Sequence, residues 1–322
     1  MWYIEYILSS VFFECMYDVI IIGGGPAGVS AGVYASRKKM KTLLLTDTIG
    51  GQSAVSASIE NWIGDISLKG FEFAQKLEKH LRAQEDIEIQ TMVRVESVES
   101  IEGGFRVLTK KEEIFETKTI IIATGGKHRH LDVPGEEKFM GKGVVYCSTC
   151  DAPFFRNKKV AVVGAGNSGL EACQDLFPYA EKIYLLSNSE RLGGDTVLQE
   201  EIRAHEKIEI VYNALTKEIL GQNVVTGLLY QDIGTKKEKT ILLDGVFVEI
   251  GMVPNTDFLG DLVERNNFRE IILDHRTGET SAPGIFGAGD ATDVLYKQNN
   301  ISAGQGALAA LSAYDFVKKY TL

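Results

Sequence analysis

Apolar residues in this chain gather in short unbroken runs that stop at glycine. Tyr17–Ile22 runs straight into Gly23-Gly24-Gly25-Pro26-Ala27-Gly28, and small residues continue from there to Arg37. An apolar run of that length, bounded by turn residues, predicts a strand buried on both faces and then a helix. Leu43-Leu44-Leu45 predicts the next strand, ending at Thr46-Asp47. Helical spacing covers 68–84, strands are expected over 87–98 and 104–109, and Thr119–Ala123 predicts a buried strand closing on Thr124-Gly125-Gly126. Residues 127–134 read as a crossover linker punctuated by Pro134-Gly135. The opening pattern then returns. Lys158–Val163 leads into Gly164-Ala165-Gly166-Asn167-Ser168-Gly169, with a helix to Phe177 that Pro178 stops and a strand over Ile183–Leu186. Strands over 208–212, 224–230 and 240–243 complete this part. Gly245–Ile250 predicts a strand, Gly284–Asp290 a strand and turn, and a last helix is expected to start near Ser302-Ala303-Gly304.

Strand, G-x-G-x-x-G and helix, in that order, have a physical reading. Gly23 makes the tight turn, Gly25 lets the backbone approach a pyrophosphate, and Gly28 lets helix and strand pack closely. The helix start supplies N–H donors to the phosphates. Asp47, roughly 20 residues on, is placed to hold a ribose hydroxyl. One such pattern is common; two in one chain are far more specific. The expected fold is therefore α/β, with two Rossmann-like (three-layer ββα) nucleotide-binding domains, the second inserted into the first. Their expected bounds are 1–127 and 245–322 for the first domain and 128–244 for the second.

The bulk numbers narrow the partners. The chain has 322 residues, enough for about two domains. Its 44 acidic against 34 basic residues, a formal charge of −10, argue against nucleic acid or an anionic membrane as a partner. No stretch approaches the ~20 apolar residues of a membrane span. Residues 1–15 are apolar but lack Lys and Arg, so they do not make a signal peptide. Met16 reads as the functional start, with 1–15 an upstream extension; the alternative is a short helix packed on the surface.

The chemistry centres on Cys147-Ser148-Thr149-Cys150-Asp151. Two thiols at i and i+3 meet across one turn and interconvert between dithiol and disulfide. Asp151 sits where it can exchange a proton with the pair. A CxxC can also be half of a zinc site or a structural disulfide. Zinc wants about four ligands, and only Cys15 and Cys173 remain, far apart and without a paired His motif. No metal site is assigned, and Cys173 reads as helix packing. Four cysteines do not make a secreted framework, so a reducing, cytoplasmic setting is expected. His128 and His130 read as solvated loop residues.

Taken together, these residues resemble the low-molecular-weight thioredoxin reductases from Met16 to the C-terminus. The resemblance rests on GGGPAG at 23–28, GGQ at 50–52, ENWIG at 60–64, ATG at 123–125, CSTCD at 147–151, GAGNSG at 164–169 and GAGD at 287–290. Residues 133–136, 166–172 and 296–298 are also similar to the flavoprotein subunit of alkyl hydroperoxide reductase, which carries a further N-terminal thioredoxin-like module without an expected counterpart here. The resemblance implies a homodimer and an FAD site drawing on Gly23, Gly25, Pro26, Ala27, Gly28, Asp47, Gly51, Gln52, Asn61, Val93, Thr124, Gly125, Gly289, Asp290, Lys297, Gln298 and Ser302. It implies that Cys150 lies over the flavin and accepts electrons. Cys147 would then attack the disulfide of thioredoxin or a thioredoxin-like protein, with Asp151 as proton donor and acceptor. It also implies that the inserted domain rotates between a nicotinamide pose and a dithiol pose.

One stretch departs from the family. NADPH-dependent members are expected to carry H-R-R-x-x-x-R after the second strand of the inserted domain, where arginines would pair with the 2′-phosphate. Here the residues are Ser187-Asn188-Ser189-Glu190-Arg191-Leu192-Gly193, with no motif arginine position filled and Arg191 out of register. NADH-type relatives place an acid where Ser187 stands. Gly164, Gly166, Asn167 and Ser168 are the candidate nicotinamide-nucleotide contacts, and the donor stays open among NADPH, NADH and ferredoxin. Two other functions use the same parts: a flavin-dependent dithiol oxidase, and a flavin-loaded redox sensor.

Overall fold

The fold was described from a computed structural model, over residues 16–56 and 59–320. The expectation for residues 1–15 lies outside the described residues. The chain divides into two compact units, 16–127 with 253–320, and 128–252.

In the first unit, β1 (Tyr17–Ile22) leads through the glycine turn into α1 (Pro26–Arg37), with Pro26 in the first helical turn. Proline suits that place because its missing N–H would have had no partner there. β2 (Thr42–Leu45), α2 (Gly70–Arg82) and β3 (Ile87–Gln90) follow, then β4 (Val95–Ile101), β5 (Gly104–Thr109), β6 (Ile114–Ile122) and β7 (Gly126–His128). Strands β3-β2-β1-β6 are parallel, and β5 and β4 extend the sheet antiparallel from the N-terminal half of β6.

The second unit holds β8 (Val144–Val145), the short helix α3 (Ser148–Asp151), β9 (Lys159–Val163), α4 (Asn167–Leu176), β10 (Lys182–Leu186), α5 (Thr196–Ala204) and β11 (Ile208–Val211). It continues with β12 (Ala214–Gly221), β13 (Val225–Asp232), β14 (Glu238–Leu242), β15 (Gly245–Val248) and β16 (Met252–Pro254). A parallel sheet runs β11-β10-β9-β15-β8, and β12-β13-β14 form an antiparallel sheet. β7 and β16 pair with each other where the chain leaves and re-enters the first unit. The first unit is completed by β17 (Ile285–Gly287), parallel to the C-terminal half of β6, and α6 (Asn299–Tyr320).

Alternate residues of each parallel strand feed two cores. In the first unit Val19, Ile21, Leu44 and Ile121 pack on α1 and α6, whereas Ile20, Ile22, Leu43 and Ile122 pack on the layer containing Val98 and Val107. In the second, Val160 and Val162 pack on α4, and Ala161 and Val163 pack on the antiparallel sheet. This two-sided burial is why the strands are unbroken apolar runs. Small residues bring α1 and α6 close: a Cβ on Gly306 would lie 2.0 Å from the Ala27 carbonyl oxygen.

Three expectations are corrected. Gly245–Val248 does not reopen the first domain; it pairs with β9 in the second unit, so the return crossing falls at 252/253 rather than 244/245. A strand at Ala214–Gly221 precedes the one expected at 224–230, and the last helix begins at Asn299, before Ser302. No described helix is long and apolar enough to cross a membrane.

Candidate active site

The first glycine turn is shaped by close approaches. Gly23 has φ +117°, and a Cβ there would lie 2.1 Å from the Ala123 carbonyl oxygen. A Cβ on Gly28 would lie 1.9 Å from the Gly23 oxygen, so Gly28 is what lets α1 sit on β1. Gly25 is different, because nothing but the Gly51 Cα, at 3.9 Å, stands near its Cβ position. Space beside Gly25, and the first-turn N–H groups at Ala27 and Gly28, form an opening suited to a pyrophosphate.

The surrounding loops are tied together through the predicted residues. Gly50 N–H donates to the Gly24 carbonyl (2.9 Å), which brings Gly51 against Gly25, and the Gln52 amide donates to the Gly126 carbonyl. Asn61 donates to Gln298 (3.2 Å), while Asn300 donates to the Asn61 carbonyl (2.6 Å) and Ser53 to Asn299 (2.8 Å). The 51–63 loop and the start of α6 thus form one wall. Thr124 donates to the Asn255 carbonyl (2.7 Å), and Asn255 donates back to the Thr124 carbonyl (3.0 Å). Gly125 beside them has φ +61° and open space at its Cβ position. Gly289 N–H donates to Gln305 (2.9 Å), and Ser302 donates to Asp290 (3.3 Å). Burial pushes the Asp290 carboxyl up, against the pull of Lys297 and Ser302.

Other predicted contacts are engaged within the chain. Asp47 at the end of β2 accepts from Arg94 Nε (3.0 Å), and buried Val93 donates its N–H to the Thr46 carbonyl (3.0 Å). The Lys297 ammonium lies 2.8 Å from Glu270 and donates to the Thr292 carbonyl (2.6 Å). Arg94, Asn255, Asn300 and Gln305 were missed from sequence. Their partners are distant along the chain, and only the placement of Asn299-Asn300 before a helical run gave a local signal. The open glycines, the exposed helix start and the hydroxyl-bonding Asp290 fit FAD.

In the second unit Cys147 and Cys150 form a disulfide, with their Cα atoms 5.3 Å apart. It spans α3, where Asp151 N–H donates to the Cys147 carbonyl (3.0 Å). The hydroxyls of Ser148 and Thr149 both donate to Asp175 on α4, at 2.8 and 3.1 Å. Burial pushes the Asp151 carboxyl up to about 6. Just before the pair, Tyr146 donates to Glu136 (2.8 Å) and meets His130 Nδ1 at 3.1 Å. Glu136 is buried and accepts the N–H groups of Leu131 (2.9 Å) and Asp132 (2.8 Å), which fixes the 131–136 segment to the strand leading into Cys147. Neither His128 nor His130 is simply a solvated loop residue, since both rings pack against Tyr146. Cys173 is buried, and burial pushes its thiol up, so it is inert packing rather than a reactive thiol.

The second glycine turn repeats the first. A Cβ on Gly169 would lie 1.9 Å from the Gly164 oxygen, and Gly166 has open space. Here, however, the chain covers its own turn: Gly193 N–H donates to the Ala165 carbonyl (2.8 Å), and Asp195 N–H to Asn167 Oδ1 (2.7 Å). Ser168 is exposed. Ser187 is buried and turned inward, donating to the Arg191 carbonyl (3.0 Å) and accepting from Ser189 N–H (3.2 Å).

Residues 17–309 match the family model for pyridine nucleotide-disulphide oxidoreductases. The chain is 45% identical over 301 residues to the flavoprotein subunit of alkyl hydroperoxide reductase from Staphylococcus aureus, covering 94% of this chain and 59% of that protein. It therefore spans about three-fifths of the length of the curated relatives it matches. Among solved structures, it resembles thioredoxin reductase from Streptococcus pyogenes (34% identity, TM-score 0.89, 95% of this chain and 99% of that one). It also resembles thioredoxin reductase from Giardia duodenalis (30% identity, TM-score 0.89, 94% of this chain and 99% of that one). An FAD-shaped glycine cradle, a second nucleotide-type turn and a CxxC disulfide agree with these matches, and the chain belongs to the pyridine nucleotide-disulphide oxidoreductases, as an FAD-dependent oxidoreductase of the low-molecular-weight thioredoxin reductase type with kinship to the flavoprotein subunit of alkyl hydroperoxide reductase.

Proposed function

We propose that this chain is a disulfide reductase that passes electron pairs through Cys147 and Cys150 to thioredoxin or a thioredoxin-like protein, working as a homodimer. The observation that carries the reading is the disulfide on α3, with a partly protonated Asp151 as the next residue. FAD, when bound in the first unit, supplies the electron pair. Gly25, Gly51, Gln52, Thr124, Gly125 and Asp290 are the residues that would hold it.

The protein's own residues carry the rest. The Cys147–Cys150 bond takes up two electrons and two protons and breaks to a dithiol. The Cys147 thiolate attacks one sulfur of the substrate disulfide, and the departing substrate thiolate takes a proton. Cys150 then attacks Cys147 in the mixed disulfide, the second substrate thiol leaves, and the internal disulfide re-forms. Asp151, with a carboxyl near 6, can both give and take the protons of these steps at neutral pH.

Substitution tests these roles. Cys147→Ser is expected to leave flavin reduction intact and abolish disulfide turnover. Cys150→Ser is expected to remove any thiolate-to-flavin charge-transfer band. Unchanged insulin-coupled activity in Cys147→Ser would overturn the assignment.

A second reading of the donor is favoured by the 187–195 segment. Ser187 is used up within its own turn, and no arginine fills the 2′-phosphate positions. Charge-assisted hydrogen bonds contribute roughly 1.5–3 kcal/mol each, so losing two would weaken NADPH by roughly two to four orders of magnitude. On this reading ferredoxin is the donor. Rapid bleaching of the flavin by micromolar NADPH or NADH in a stopped-flow titration would count against it.

A further inference from the structure

We propose that Glu249 is a positioning residue of the redox centre: its carboxyl seats the first peptide of the dithiol helix and gains or loses a proton as the Cys147–Cys150 bond opens and closes. The proposal rests on the disulfide-reductase reading above and assigns a residue that the reading does not use.

Glu249 directly follows β15. Its N–H donates to the Val163 carbonyl (2.8 Å), and its own carbonyl backs the second glycine turn, where a Cβ on Gly164 would lie 2.2 Å away. Its backbone is thus fixed on two sides. Its carboxyl accepts the N–H of Ser148, the residue after Cys147. Cys147 makes no side-chain cap at the start of α3, so Glu249 provides the acceptor from another strand. Asp175 holds the same segment through the Ser148 and Thr149 hydroxyls. Both residues between the cysteines are therefore gripped by carboxyls from outside the CxxC.

The charges facing Glu249 are of one sign. Asp175 and Glu171 on α4 and Asp151 on α3 all raise it, and Cys173 lies within its field. Burial is the largest influence; with these neighbours, and against the Ser148 N–H, it pushes the carboxyl up to about 8. Reduction adds two electrons to the S–S bond. Any thiolate that results puts a further negative charge beside Glu249 and favours its protonated form; equally, an ionised Glu249 opposes thiolate formation. Either way, reduction above about pH 8 draws in a proton that the two cysteines alone would not hold.

The test is the midpoint potential of the Cys147–Cys150 pair between pH 6.5 and 9.5. It is measured in dithiothreitol redox buffers with maleimide trapping, on the FAD-loaded wild type and on Glu249→Gln. The amide keeps an acceptor for Ser148 N–H but cannot titrate. One extra proton per two electrons is a tenfold change in equilibrium constant per pH unit, or about 30 mV. Above pH 8 the wild-type line is expected to be steeper than the Glu249→Gln line by up to that amount, and below pH 7 the two should run parallel. Asp175→Asn should keep the extra proton and move its window to lower pH. Parallel wild-type and Glu249→Gln lines throughout would overturn the proposal while leaving the reductase reading intact. A pair that dithiothreitol does not reduce would overturn both. A measurement without any substitution stands beside it: infrared difference spectra of the wild type at pH 8.5 should gain a protonated-carboxyl band on reduction, and its absence would equally overturn the proposal.

Discussion

Glu249 and Asp151 are carboxyls held against the preference of bulk water, and this has a sign for stability. A carboxyl raised in the folded state gives the folded chain more bound protons than the unfolded one, so stability falls as pH rises. For Glu249 the penalty is absent below the ordinary value of 4.5 and complete above about 8. Glu249→Gln is therefore expected to stabilise the protein at pH 9, by on the order of 3 kcal/mol, and to change little at pH 4. Urea titrations at the two pH values would check this, and a gain that does not depend on pH would refute it. Asp151 shows itself in turnover instead. Asp151→Asn is expected to slow reduction of a protein disulfide by roughly 10²-fold or more and to remove a limb near pH 6 from the pH–rate profile. Asp151 was legible in the sequence because it adjoins the cysteines. Glu249 was not, because its setting is assembled from α3, α4 and the end of β15, which only the fold brings together.

At the scale of elements, the two strand–glycine–helix units separate what glycine does for packing from what it does for a ligand. Gly28→Ala would drive a Cβ to 1.9 Å from a backbone oxygen, and backbone cannot step aside as a flexible side chain can. Such overpacking costs about 1–3 kcal/mol, so this variant should lose both stability and flavin. Gly25→Ala meets nothing closer than 3.9 Å within the chain. It should leave the urea midpoint of the apoprotein unchanged and still retain less FAD, read from the ratio of flavin to protein absorbance. Equal stability losses in the two variants would refute the distinction. The same contrast holds for Gly169 and Gly166 in the second unit. These units were legible because their chemistry is local: an apolar run, three glycines and a helix start lie within a dozen residues. The sheet position of β15 was not. A strand buried on both faces, such as Gly245–Val248, reads the same whichever parallel sheet receives it, and only its pairing with Lys159–Val163 assigns it. β12 escaped because its burial alternates only in its first residues, and Asn299 because it extends a helix whose apolar spacing begins later.

At the scale of the molecule, the cores divide as the chain does. The buried clusters of the first unit draw only on residues before 128 or after 252, and those of the second only on residues within 128–252. A segment with both faces of its sheet covered by its own helices and its own antiparallel sheet has what an independent domain needs. Residues 128–252 expressed alone are therefore expected to fold, with dispersed amide resonances and a Cys147–Cys150 disulfide that dithiothreitol reduces. The complementary deletion follows the same logic. β7 and β16 are paired, so the chain ends left by removing the second unit lie side by side. Residues 16–127 joined to 253–320 by a short glycine-serine linker should fold and stay yellow, because Gly25, Gln52, Gly125 and Asp290 all remain. Electron transfer should then stop at the flavin, since the deleted segment carries both cysteines of the redox pair. A colourless or unfolded product would mean that the first unit depends on the second for its stability, contrary to the separation of their cores.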